Sequence, residues 1–407
     1  MIKEYFNDLV SGIEEKIAHD PESRTPRKVY ALEVARLGQR LYGGEHCVAW
    51  CGVAAPFDLL TAMGVTSCFV EFVGAMLAST GMAPAFMEEA EHAGFASDIC
   101  AYHRSVMGAA QKNMMPIPDF LIATSCPCSG GLAIMENLAK EFEKDLFVLN
   151  IPQEASTAGV QYLADQMRDM TAFVADQTGK PLKDDALSEV IEQTNQVRQL
   201  MADVYTLAQS VPSPANSVSL SNFGIVMALL MGSPSGVEVA QAYFDDFSKK
   251  VADSVSGAKN EKFRLLWIQN RIQYKNPLIP FLENELGAVI VTDELNSITW
   301  EAIDPADPYT GFAKRAISIP FNGWGATRIS HLQKMAKQFK VDGAINPCHW
   351  GCRQGTGMRG LISDGFKEIG VPTLNLEVDC VDSRNFAEGQ LKTRLEAFIE
   401  ILEARRG

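Results

Sequence analysis

Nothing in this 407-residue chain approaches the roughly 20 uninterrupted apolar residues that a membrane helix needs, so no helical span is expected. The opening MIKEYFNDLVSGIEEKIAHDPESR lacks the basic start, apolar stretch and small-residue cleavage site of a secretory leader, and a cytoplasmic location follows as the expectation. Positive charge is scarce. Against 50 Asp and Glu stand 36 Lys and Arg, a formal net charge of −14, and no dense basic stripe offsets it locally. Such a surface repels phosphate backbones, so nucleic acid is not an expected partner. Low-complexity tracts are absent as well. With 47% hydrophobic and 21% charged residues the composition is that of a soluble globular protein, and the length calls for two or three domains.

Cysteine, by contrast, is plentiful. Nine thiols in a chain expected to be cytoplasmic are not explained as a disulfide framework, because that compartment keeps thiols reduced and a core of this size needs no staples. Metal binding or redox chemistry is the leading alternative, although free cysteine is also a common core residue. Position decides between the two.

Residues 1–40 read as a helical lead-in, with apolar residues at helical spacing in EYFNDLVSGIEEKI and VYALEVARLGQRL. From 41 to 154 short β-rich runs (HCVAW, VTSCFVEF, DFLIATS, KDLFVLNIP) alternate with helical stretches, the pattern of a parallel sheet covered by helices. Residues 155–258 lose the strand signal and read as a helical domain. The alternation resumes over 259–407 through KFRLLWIQN, GAVIVTDE, VDGAINPC and VPTLNLEVD, closed by the helix KTRLEAFIEILEARR. The expected fold is therefore α/β: two parallel-sheet domains of Rossmann or flavodoxin type, plus a helical domain. Each α/β half places cysteines after strands, which makes a distant duplication conceivable without a visible repeat.

Six of the nine thiols fall at expected strand ends: Cys51 after HCVAW, Cys126 and Cys128 after DFLIATS, Cys348 and Cys352 after VDGAIN, and Cys380 after TLNLEVD. Ligands of open α/β sheets bind beyond the carboxyl ends of the strands. Cys68 and Cys47 read instead as core residues. Cys100, in SDICAYHR, opens a helix, where free N–H groups and the positive dipole favour a thiolate. The flanks SCPCSGG and CHWGCRQGTG let backbone amides approach sulfur closely. The CxC and CxxxC spacings, beside His46 and His349, are not the paired CxxC of a common zinc site, which remains a rival. A Cys–His nucleophile built from Cys348 and His349, or Cys47 and His46, is weaker because sequence neighbours rarely form such a pair.

Across nearly the whole chain these segments resemble the 2-hydroxyacyl-CoA dehydratase and benzoyl-CoA reductase family. SDICAYHR, MPIPDFLIATSCPC and GVPTLNLEVDCVDSRNFAEGQLKTRLEAFIEIL look like the family's hallmark stretches, in order. The resemblance implies a [4Fe–4S] cluster in the cleft between the α/β domains, with Cys100, Cys128 and Cys352 as its three ligands and one iron left open. It also implies an anaerobic setting and a single low-potential electron delivered by an ATP-hydrolysing activator protein with its own [4Fe–4S] cluster. Cys51, Cys126 and Cys348 are surplus to one cubane, as are the rival thiols Cys47 and Cys380. They point to the double-cubane branch of the family, whose [8Fe–9S] unit takes six cysteines.

The family's dehydratases carry a serine in the loop before the proline that Pro56 resembles, and WCGVAAP has Val53 there. Glu71 in CFVEF matches the family's acidic residue near the cluster, a candidate base or proton relay; a strand-end carboxylate bonded to backbone is the plain alternative. The expectation is a homodimeric low-potential reductase of a small molecule, with a 2-hydroxyacyl-CoA dehydratase subunit as runner-up. A non-catalytic electron carrier is the rival from another class. His103 and Arg104 read as neutralisers of cluster charge or as a solvated helix face, and Trp324 as a wall of the cleft or a packed aromatic.

Overall fold

The computed structural model describes residues 2–220 and 223–406. Two parallel four-stranded sheets organise them. The first contains β1 (Val48–Cys51), β2 (Thr66–Phe69), β3 (Phe120–Thr124) and β4 (Leu146–Leu149) in the order β2-β1-β3-β4. The second contains β5 (Phe263–Trp267), β6 (Ala288–Asp293), β7 (Gly343–Cys348) and β8 (Thr373–Glu377) in the order β6-β5-β7-β8. The two sheets share one permutation, that of flavodoxin-like folds. The α/β class with two such sheets and additional helices is as expected from the alternation of apolar runs and helical patterns.

Every residue of β1, β3, β5, β6 and β7 is buried. Parallel strands covered by helices on both faces have no solvent side, so their sequences read as unbroken apolar runs such as FLIAT and AVIVT. One expectation needs correction. Cys51 and Cys348 do not follow their strands but end them: Cys51 is paired with Phe69 and Ile122, and Cys348 with Glu377. The ladder runs one or more residues further than the hydrophobic pattern marked.

Between the sheets in sequence lie the helices Thr157–Thr178, Asp184–Leu207 and Pro234–Ala252, and no strand occurs among the described residues of 155–258. Ser156 and Ser233 cap two of them by accepting the N–H groups of Gly159 and Gly236 at 3.1 Å each. These helices divide between two cores. Leu163, Met167, Met170 and Val174 pack with the first sheet, whereas Val197, Met201, Val204, Tyr243 and Phe247 pack with one face of the second. At about 1.5–3 kcal/mol per large buried side chain, that attachment secures the helices to the sheets.

The two halves are also tied by polar contacts. Asp58, in the helix Phe57–Ala62, takes a two-pronged contact from Arg315 of the helix Pro308–Ile317, at 2.6 and 2.7 Å. No helix among the described residues is long and apolar enough to cross a membrane.

Candidate metal centre

In each sheet the strand order reverses between the two central strands, β1 and β3 or β5 and β7, which opens a crevice at their carboxyl ends. Both crevices face one cavity of about 530 Å³. Cys100, Cys128 and Cys352 line it, one from each of three separate loops. Each is the residue immediately before a helix: Ala101–Gln111, Ser129–Phe142 and Arg353–Glu368 respectively. Three helix N-termini therefore present free N–H groups and positive dipole ends, each equivalent to about half a charge, to one cavity.

The sulfurs use those donors. Cys128 Sγ accepts the Gly131 N–H and Cys352 Sγ the Gly355 N–H, both at 3.3 Å. Burial pushes all three thiols above their ordinary value, and neighbouring Cys352 adds to the rise of Cys100. The N–H groups of Tyr102 and His103 pull Cys100 back, as Gly131 does for Cys128 and Gly355 for Cys352. Among the described residues no three His, Cys, Asp or Glu side chains close around a single-ion point, as a structural zinc shell would.

Several contacts hold the loops together. Gln354 Nε2, beside Cys352, donates to the Pro127 carbonyl at 2.6 Å and so joins the Cys352 helix to the Cys128 loop. Gln273 Nε2 donates to the Tyr102 hydroxyl at 3.0 Å, linking the second half to the Cys100 helix. His349, fully buried, accepts the Cys380 N–H on Nδ1 at 2.9 Å and turns Nε2 to Cys100 Sγ at 3.5 Å. Burial first, then the nearby charges of His103 and Arg104, lowers its pKa to about 3.

The remaining thiols are placed otherwise. Cys51 packs in the core of the first sheet with its Sγ 3.8 Å from the Ala49 carbonyl, and Cys126 packs in the same core, its thiol pushed up to about 12 by burial and then by Cys128. Cys348 Sγ lies 3.6 Å from the Asn346 carbonyl and 3.8 Å from Asn375 Oδ1. None of these three lines the cavity. Cys68 is buried in the first core and Cys47 packs half-buried at its edge. Cys380 lies behind His349 with its Sγ 3.7 Å from the Asn270 carbonyl.

Glu71 lines the cavity beside Cys128. It is not a strand-end residue but the first residue of the helix Glu71–Ser79, because β2 stops at Phe69. Its Oε1 lies 3.3 Å from His103 Nε2, while Oε2 is buried without a hydrogen-bond partner. His103 and Arg104 are buried rather than solvated. Arg104 Nε donates to the Ile99 carbonyl at 3.2 Å and Nη1 to Glu91. Trp324 is neither a wall nor packed: it is 61% exposed and its indole N–H donates to Glu154 at 2.6 Å.

Two further residues carry no sequence signal for the places they take. His349 stands out in the sequence only as the neighbour of Cys348, and its contact with Cys100 spans 249 positions. Gly351 is marked in the sequence only as one glycine of the flank CHWGCRQGTG, with no sign that its backbone lies against that of Ile99 and Cys100.

Residues 53–402 match a family described as 2-hydroxyglutaryl-CoA dehydratase, D-component. The chain is 23% identical over 396 residues to the (R)-phenyllactyl-CoA dehydratase alpha subunit of Clostridium sporogenes, covering 92% of this chain and 93% of that one. It is 24% identical over 396 residues to the lactoyl-CoA dehydratase subunit alpha of Anaerotignum propionicum, covering 88% and 91%. A benzoyl-CoA reductase subunit of Thauera aromatica is 22% identical over 350 residues, covering 78% and 80%.

Proposed function

The chain belongs to the 2-hydroxyglutaryl-CoA dehydratase D-component family, and from that premise we propose that it is an iron–sulfur enzyme subunit acting on a 2-hydroxyacyl-CoA thioester. The observation that carries the reading is the convergence of Cys100, Cys128 and Cys352, each at a helix N-terminus, on one cavity. Three thiolates and an open fourth position suit a [4Fe–4S] cluster. Bound there, the cluster would supply a Lewis-acidic iron and a low-potential electron.

The chain's own residues supply the rest. Dipole ends and N–H groups offset the negative charge of a thiolate-bound cluster. Glu71, whose Oε2 has no partner, holds or accepts a proton beside the reacting group, and His103 fixes its other oxygen. Val53, Phe69 and Phe72 form apolar wall, which favours the acyl part of a thioester over a free polar acid. The electron comes from an ATP-hydrolysing activator protein with its own cluster, and a second subunit, a further copy of this chain or a paralogue, completes the assembly.

A second reading, a small-molecule reductase with a double-cubane cluster, draws support from Val53, which leaves the cavity wall without a hydroxyl at that point. The buried packing of Cys51, Cys126 and Cys348 gives the smaller cluster more support. The test is an anaerobic assay with activator, ATP and a strong reductant on 2-hydroxyacyl-CoA thioesters such as lactoyl- and phenyllactyl-CoA. Formation of the 2-enoyl-CoA supports the proposal. Reduction of other small acceptors with no dehydration favours the second reading, and no turnover of any acceptor favours an electron carrier.

A further inference from the structure

His349 sits on the second half of the molecule, one residue beyond β7, yet its imidazole meets a thiol from the first half. The ring is fully buried, and its two nitrogens have different partners. At Nδ1 the nearer partner is the backbone N–H of Cys380 at 2.9 Å, with Asp379 Oδ1 further off at 3.5 Å. A backbone N–H can only donate, so Nδ1 presents its lone pair and the ring proton is on Nε2. That N–H points at Cys100 Sγ, 3.5 Å away. Tyr102 packs against the imidazole in an edge-on arrangement, centroids 5.5 Å apart at 80°, and is itself held by Gln273. Tautomer and orientation are thus both set by neighbours.

We propose that His349 is a positioning residue whose Nε2–H donates to Cys100 sulfur and thereby raises the reduction potential of the cluster. This rests on the reading of Cys100 as a cluster ligand. A hydrogen bond to a thiolate stabilises its negative charge, and more so after reduction, when the cluster carries one charge more. Burial strengthens the effect, because no water competes for the sulfur. Cys128 and Cys352 take N–H groups from their own helices at 3.3 Å. Among the described residues, only Cys100 of the three takes a side-chain donor from across the cleft. The bond therefore couples the electron affinity of the centre to the seating of the two halves on each other.

The test is an anaerobic potentiometric titration, followed by electron paramagnetic resonance, of purified wild type, His349→Phe and His349→Gln. Phe keeps a planar ring without the donor, and Gln returns an N–H at the distance of Nε2. The expected result is unchanged iron and sulfide content, a more negative midpoint for His349→Phe, and a midpoint near wild type for His349→Gln. An unmoved midpoint in a fully loaded His349→Phe overturns the proposal while leaving the cluster reading intact. If His349→Phe does not load, His349→Gln is compared with His349→Asn, whose amide reaches only the δ position; equal midpoints overturn the proposal. Wild-type protein without any iron overturns both readings.

Discussion

A β-carbon on Gly351 would stand 2.7 Å from the Cys100 backbone nitrogen and 2.6 Å from the Ile99 carbonyl carbon. The loop carrying Cys352 and the loop carrying Cys100 can approach as they do only because this position has no side chain. Its φ of +73° adds a second demand for glycine.

Gly351→Ala is accordingly expected to cost about 1–2 kcal/mol from the left-handed backbone alone. More specifically, it should separate Cys100 from Cys352 and lower iron retention while the rest of the chain stays folded. Gly357→Ala is the matched control, since nothing lies within 4 Å of its added carbon. Thermal unfolding and iron analysis of the two variants check this; equal iron content in both would refute it.

Glu71 offers a test of chemistry separate from assembly. Oε2 is buried without a partner and Oε1 contacts His103, so Glu71→Gln preserves shape and removes the basic oxygen. A fall in kcat of about 100-fold or more with unaltered iron content is expected if Glu71 moves a proton in turnover. An unchanged rate would reduce it to a structural carboxylate.

The Asp58–Arg315 pair predicts a stability effect with a defined pH sign. Burial alone would raise the Asp58 carboxyl, but Arg315 and the Thr194 hydroxyl outweigh it and hold the group below its ordinary value of 3.8. A carboxyl lowered on folding contributes stability that is fully present above its unfolded value and is lost as pH falls through the folded one. Asp58→Asn should therefore cost about 3–5 kcal/mol at neutral pH, since Arg315 is left without its carboxylate. The deficit relative to wild type should shrink below about pH 4. Denaturant unfolding at pH 7 and pH 3 measures both; a deficit independent of pH would be inconsistent with the assignment.

Much of this was legible in the sequence, for a physical reason. Parallel strands buried on both faces appear as short apolar runs; each of the eight runs overlaps an observed strand, and seven contain it whole. The local pattern marked Cys128 and Cys352 only as two of six thiols at expected strand ends and Cys100 as the start of a helix; it was the family resemblance that singled these three out as a set. Cys51 and Cys348 misled because a strand's last residue and the first residue beyond it have the same local pattern, and only pairing with Phe69 or Glu377 separates them. The stretch 155–258 was readable as helices, but not that its apolar faces divide between two cores, because periodicity says which face is buried and not against what. His349 and Gly351 lay beyond reach: their roles exist only when segments some 250 positions apart are in contact.

The most direct measurement is iron and acid-labile sulfide in anaerobically purified wild type and single Cys→Ala variants. About four irons per chain are predicted for wild type. Loss of the cluster is predicted for Cys100→Ala, Cys128→Ala and Cys352→Ala, and wild-type content for Cys51→Ala, Cys126→Ala and Cys348→Ala. About eight irons in wild type, with half lost in the second set, would contradict a single three-thiolate cluster.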